Sequence, residues 1–245
     1  MDSGRMRALA HRLVLTREAR SREVIRRFLE KCKKPYLSWS GGKDSTVMLY
    51  LTLKEKPDIE VIYFDADSCL PDGWEYMMRL VDEWNLNFRV MKTRPILDVF
   101  AEYGIDHPGI DYRTMKATVY EPVKQLCSEG YDGSLIGIRA QESSGRRWGA
   151  KKYGELFWSK GYQMWECWPM LHWKTEELWL YIDHFRIPYH PAYDKTRFEP
   201  RERIRVSYWA GETNRQFGRY KWLEYYYPEL FQKLVETCPE VKSFV

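Results

Sequence analysis

The stretch Ser40-Gly41-Gly42-Lys43-Asp44-Ser45 decides how this chain reads, because an apolar strand runs into it and an apolar helix leaves it. Tyr36-Leu37-Ser38-Trp39, bounded upstream by Pro35, has the short aromatic-rich pattern of a buried strand. Val47, Met48, Leu49, Leu51 and Leu53 make the following segment a densely apolar helix. Paired glycines between them let the backbone turn tightly and approach a ligand, and the first free N–H groups of the helix converge on one point. An anion belongs there. The helix dipole adds partial positive charge, Lys43 adds a full one, and the hydroxyls of Ser40, Ser45 and Thr46 are further donors to phosphate oxygens. The alternative, a glycine turn with Asp44 or Ser45 acting only as a helix cap, leaves the paired glycines and the lysine unexplained.

The loop is not the G-x-x-x-x-G-K-[ST] nucleoside triphosphate loop, since no glycine lies five residues before Gly42 and Asp44 follows Lys43. It resembles instead the pyrophosphate (PP) loop of the adenine nucleotide alpha-hydrolase superfamily. That group includes ATP pyrophosphatases, the small subunit of ATP sulfurylase and phosphoadenosine phosphosulfate (PAPS) reductases.

At 245 residues and 44% apolar, the chain is long enough for one sizeable core, and a single domain is expected. Residues 1–34 read as an N-terminal helical segment, 35–195 as the nucleotide-binding unit, and 196–245 as a basic, aromatic helical extension of it. No segment is apolar enough to span a bilayer, and Arg5, Arg7, His11 and Arg12 interrupt any signal-peptide core, so a cytoplasmic location is expected. Cys32, Cys69, Cys127, Cys167 and Cys238 are scattered singly, which predicts reduced thiols. A formal charge of +4 suits an anionic ligand without arguing for nucleic acid. Most of the eleven Trp and eighteen Tyr follow residue 145, and a packed core is the commonest use of such rings.

Residues 16–32 predict an amphipathic helix packed on the sheet edge, with Val24, Ile25, Phe28, Leu29 and Cys32 on one stripe. Residues 59–64 are a second strand ending at Asp65-Ala66-Asp67. In an open parallel sheet the ligand crevice lies at the carboxyl ends of the strands, so Asp65 and Asp67 are placed to bind ribose, an amine or a metal, or to cap the helix over 73–84. Residues 88–91 are a third strand, 104–108 a loop, and 115–127 a helix. A further strand over 132–138 runs into Arg139, with Glu142, Arg146 and Arg147 beyond it. Arginine forks onto phosphate or sulfate, so these cations are placed to clamp the far side of a polyanion, unless Arg139 pairs with Glu142 and the others are solvated.

Gly137-Ile138-Arg139, Glu142-Ser143 and Arg146 are similar to a Gly-[Ile/Leu]-Arg-x-x-[Glu/Gln]-Ser-x-x-Arg segment of the PAPS reductase family. Trp168-Pro169, then Ile187-Pro188 and Pro191-Ala192-Tyr193-Asp194, resemble its Trp-Pro turn and Ile-Pro-x-x-Pro-x-Tyr loop. The likeness covers residues 36 to about 195. It implies an α/β fold with an open, mainly parallel five-stranded sheet flanked by helices. It implies nucleotide contacts from Ser40, Gly41, Gly42, Lys43, Asp44, Ser45, Asp65, Arg139 and Glu142, with Lys43, Arg139 and Arg146 acting on the reacting phosphate. ATP or PAPS is then the substrate, Mg²⁺ accompanies the phosphates, and a sulfur-transfer or thioredoxin-like protein is a candidate partner.

The departures matter as much. The family's C-terminal Glu-Cys-Gly-Leu-His is absent, Cys238 lies between Glu236 and Glu240, and the paired cysteines of its iron–sulfur branch are missing, so no cluster is expected. His172, His184 and His190 lack metal-ligand spacing. Between Lys195 and Lys221 eight basic residues outnumber three acids, with Tyr208 and Trp209 among them, a composition suited to a 3′-phosphate, a nucleic acid, an acidic partner or a solvated surface. Adenylyl transfer from ATP is the favoured reading. A thiol-dependent PAPS reductase using Cys238 and a non-catalytic nucleotide-sensing or nucleic-acid-binding module are the alternatives. The acceptor and the oligomeric state, a homo-oligomer included, stay open.

Overall fold

The computed structural model describes residues 3–208 and 218–245. Six strands form one sheet: β1 (Pro35–Ser38), β2 (Glu60–Asp65), β3 (Asn87–Lys92), β4 (Gly133–Leu135), β5 (Leu156–Ser159) and β6 (Met164–Cys167). Their order is β3-β2-β1-β4-β6-β5, and all neighbours run parallel except the β5–β6 hairpin. The parallel part therefore has the five strands implied above, and an antiparallel edge strand is added to it. Nothing in residues 156–167 alternates cleanly enough to announce that hairpin, because only Met164, Glu166 and Cys167 turn inward and the exposed Trp158 breaks the pattern.

Helix α1 (Ser3–Leu29) is longer than predicted and starts earlier. Its Val14, Ser21, Val24, Ile25 and Phe28 are buried. It does not sit on the sheet edge. It packs against β6, against α2 (Lys43–Leu53) and against the helix Thr175–Phe185, and Phe28 and Cys32 close on Gly133, where any side chain would collide with them. Trp173 Nε1 donates to Ser21 Oγ, which donates in turn to the Pro169 carbonyl, tying the Trp-Pro turn to this helix.

Helix α3 (Pro71–Glu83) connects β2 to β3. Helices α4 (Ile96–Tyr103) and α5 (Ile110–Met115) precede the helix predicted over 115–127, which is divided between a π turn over Lys116–Tyr120 and α6 (Glu121–Ser128). Pro122 explains the wide turn: it has no N–H to give the preceding turn, and its ring crowds the carbonyl four residues back. α7 (Ser144–Tyr153) follows β4, and α8 (Thr175–Phe185), α9 (Arg219–Tyr226) and α10 (Pro228–Thr237) complete the described helices. Among the described residues no helix is long and apolar enough to cross a membrane.

The strand order places the site. The chain steps outward from β1 to β2 and β3, then returns to lay β4 on the other side of β1. Segments leaving β1 and β4 at their carboxyl ends flank the point where the strand order reverses, and open α/β sheets bind ligands there. Here those segments are the Ser40–Ser45 loop and the run from Gly137 to Glu142.

Candidate nucleotide site at the strand switch point

The loop is built as its composition requires. Gly41 has φ +70°, and a side chain there would strike Met77 Sδ at 2.9 Å. Gly42 is the N-cap of α2 and offers no side chain, so the helix N-terminus is left for other donors and acceptors. Ser45 Oγ donates to the Gly42 carbonyl at 3.0 Å and accepts from the Ser40 N–H at 3.2 Å, and it lies 3.1 Å from Ser40 Oγ. These hydroxyls lace the loop together. Thr46 is turned inward: Trp39 Nε1 donates to its Oγ1, which also meets the Tyr76 hydroxyl. It is 1% exposed and braces the loop from the interior.

Gly137 brings the second segment in. A Cβ on it would lie 3.0 Å from Ser45 N and 3.1 Å from Asp44 C, so only glycine lets the end of β4 touch the first turn of α2. Two residues later Arg139, 3% exposed, sends its Nε to Asp44 Oδ1 and its Nη1 to Thr175 Oγ1 at 3.1 Å and Gln141 Oε1 at 3.3 Å. The other Asp44 oxygen faces Lys43 Nζ at 3.1 Å. A buried Lys43–Asp44–Arg139 triad thus joins the two segments. Burial pushes the Asp44 carboxyl up, but Lys43 and Arg139 outweigh it and hold the group below its ordinary value. Burial likewise disfavours the Lys43 ammonium, and the Tyr193 and Asp44 oxygens more than offset that, raising it.

Not every predicted residue stands free for a ligand. Arg139 pairs with Asp44 through its side chain, and its backbone N–H donates to Glu142 Oε2 at 2.9 Å. Arg146 pairs with that same Glu142 oxygen, and Arg205 stands 4.0 Å from the other, so Glu142 gathers cations. Arg147 is exposed. Asp65 is at the end of β2 as expected, bound by Lys92 Nζ at 2.6 Å and by the Asp67 N–H at 3.0 Å. Asp67 itself is exposed with φ +51° and caps no helix: α3 has Leu70 as its N-cap.

Tyr193, in the Pro191-Ala192-Tyr193-Asp194 loop, also reaches the first turn of α2. Its hydroxyl accepts the Lys43 N–H at 3.1 Å, lies 3.5 Å from where a Gly42 Cβ would be, and its ring stands 5.1 Å from Lys43 Nζ. A turn over Pro191–Asp194 carries it, capped by His190, whose Nδ1 accepts the Ala192 N–H. Burial lowers that imidazole to about 4, so it stays neutral. Val206 approaches Gly42 from the same side.

The basic segment is largely used within the chain. Lys195 binds Asp72 at 2.7 Å, Arg201 lies over the Trp179 ring and pairs with Asp194, and buried Arg219 pairs with Glu199 at 2.9 Å. Tyr208 donates to Asp111. Trp209 and Arg215 lie outside the described residues. Cys238 caps the C-terminus of α10 and is 2% exposed; burial and Glu240 push its thiol up to about 11. Among the described residues no cluster of three or more His, Cys, Asp or Glu could hold a metal.

A glycine-turned helix N-terminus and a buried cation at the switch point of a parallel sheet define a nucleotide-binding α/β protein. The sequence profile of the phosphoadenosine phosphosulfate reductase domain matches residues 34–228, and the chain belongs to that family. Two uncharacterized proteins of Methanocaldococcus jannaschii are 29% and 30% identical over 70% and 90% of this chain, which spans 36% and 52% of their lengths. A phosphoadenosine 5'-phosphosulfate reductase of Xylella fastidiosa is 28% identical over 66% of this chain and 68% of its own. Among solved structures, the phosphoadenylyl-sulfate (PAPS) reductase of Candida auris in a phosphate complex superposes with a TM-score of 0.56 at 17% identity, covering 79% of this chain and 92% of that one.

Proposed function

We propose that this chain binds ATP and transfers its adenylyl group to an acceptor oxygen with release of pyrophosphate. The observation carrying this reading is the Lys43–Asp44–Arg139 junction, which fixes a buried ammonium at the N-terminus of α2 beside the end of β4. In the reaction the acceptor oxygen bonds to the alpha phosphorus as the bond to the bridging oxygen of the beta phosphate breaks, pyrophosphate leaves with the electron pair, and the proton of a hydroxyl acceptor passes to water. Lys43 and the first N–H groups of α2 stabilise the charge that grows on it. Arg139 acts by holding Asp44, and through it Lys43, in place. Tyr193 yields the Lys43 N–H to the incoming phosphate.

Magnesium is expected to accompany the triphosphate, held by phosphate oxygens and water. The carboxylates here do not fit a bare ion, since both Asp44 oxygens face cations and Asp65 is bound by Lys92 and a backbone N–H.

A thiol-dependent reductase draws on the name of the Xylella relative, and the geometry of Cys238 opposes it. A thiol raised to about 11 is overwhelmingly protonated at neutral pH, and the thiolate is the attacking species. The deciding experiment incubates the purified protein with ATP, where water serves as the acceptor oxygen, and separately with PAPS plus thioredoxin, and identifies the products. Pyrophosphate from ATP is expected, and Lys43→Met should abolish it while leaving the circular dichroism spectrum unchanged. Sulfite from PAPS, lost in Cys238→Ser, would replace this reading with the reductase.

A further inference from the structure

Helix α7 carries Arg146, Arg147, Lys151 and Lys152, and from Ser143 to Gly154 the chain contains no acidic residue. The flanking acids are already engaged: Glu142 by Arg146, and Glu155 by Arg20 at 2.6 Å. Gly149 seats the helix against Trp168, whose ring lies 3.4 Å from where a Cβ would be. The rest of its surface carries rings that most folds bury. Trp148 is 59% exposed and Tyr153 42%, and Trp158 of the edge strand β5 is 43% exposed.

These rings are held in place. Lys152 Nζ stands 4.6 Å from the centre of the Trp148 ring and 5.0 Å from that of Tyr153. Tyr153 stacks on Phe157 at 4.8 Å, and Phe157 meets Trp168 edge-on at 4.9 Å. Arg147, Lys151 and Lys152 have no acid on their own helix and attract a polyanion, and the exposed rings add a flat surface for stacking. An acidic peptide would use only the first property, and a duplex hides the faces of its bases. Single-stranded nucleic acid uses both.

We propose that the α7 face is a binding surface for single-stranded nucleic acid and presents that strand as the acceptor to the phosphate loop. The connection is short: Glu142, which holds Arg146 of α7, also receives the Arg139 N–H beside Asp44. The acceptor role rests on the adenylyl-transfer reading above; the binding role stands on α7 and β5 alone.

The test is fluorescence anisotropy with a labelled single strand of about 16 nucleotides, a length that spans one single-strand site. RNA and DNA of the same sequence, and their duplexes, are titrated without ATP. Both single strands are compared with the duplexes because stacking on exposed rings requires unpaired bases, and the RNA and DNA arms identify which strand is preferred. Trp148→Ala/Tyr153→Ala is expected to weaken single-strand binding at least about tenfold. Lys151→Gln/Lys152→Gln should make the plot of log affinity against log salt shallower by about 1.4. All four side chains are solvent-exposed, and unchanged ATP affinity will show that the variants are folded. The proposal is overturned if neither single strand binds, if duplexes bind as tightly, if polyglutamate displaces the strand as effectively as unlabelled RNA, or if both variants bind like wild type. Strand binding with no pyrophosphate released once ATP is added to the bound strand would retire the adenylyl-transfer reading and leave the surface standing; the reverse result would retire the surface alone.

Discussion

Asp44 stands between two buried cations, and its removal would leave Arg139 charged and without its main partner. Breaking a buried pair from one side costs about 3–5 kcal/mol, so Asp44→Ala should lower unfolding stability by that order in urea melts. The pH dependence has a definite sign. The folded carboxyl lies below its ordinary 3.8, so its contribution is complete above that pH and is lost as pH falls further toward the folded value. Asp44→Asn should therefore lose less stability than wild type between neutral pH and about pH 3, a difference that paired melts would reveal. Cys238 illustrates the opposite effect, a group kept neutral by burial. With its thiol raised to about 11, it should react with a disulfide reagent at pH 8 far more slowly than an unfolded-chain cysteine, and Cys238→Ser should retain pyrophosphate release. Labelling followed by peptide mapping measures the first, and a product assay the second.

Between elements, the contact that matters most is the one Gly137 permits. The end of β4 meets the backbone of Asp44 and Ser45, and backbone cannot swing aside as a side chain can. Gly137→Ala should cost about 1–3 kcal/mol and weaken nucleotide binding together with stability, because it separates the two segments that form the site. Calorimetric ATP titration beside thermal melts would show whether both fall. The strand, turn and helix around the loop were legible in sequence because local patterning and burial agree there: Leu37, Val47, Met48 and Leu49 are all fully buried. The β5–β6 hairpin was not, since an edge strand with exposed Trp158 shows no clean alternation. The broken helix over 110–128 was legible only as apolar periodicity; the π turn depends on how Pro122 relieves its own steric clash.

At the scale of the whole molecule, the C-terminal third closes over the loop that precedes it by some 150 positions of sequence, through the Tyr193 hydroxyl on the Lys43 N–H. A phosphate would take that same donor. If the two compete, Tyr193→Phe should tighten ATP binding about two- to tenfold, the worth of one net hydrogen bond, and titration calorimetry will read it directly. Weaker binding would mean that the hydroxyl itself contacts the nucleotide. The sequence alone determined that this chain has a glycine-turned loop between strand and helix and that Arg139 follows a strand, while its likeness to a family implied the mainly parallel sheet. Glycine conformation, apolar periodicity and helix polarity are local, so a local pattern carries them. Only the tertiary structure decided which charges face one another: Arg139 turned to Asp44, Arg146 to Glu142 and Lys195 to Asp72, three pairs whose spacing in the chain ranges from four residues to more than a hundred. A charged side chain reaches several ångströms and takes whichever partner burial leaves beside it, and that choice is made when the segments pack.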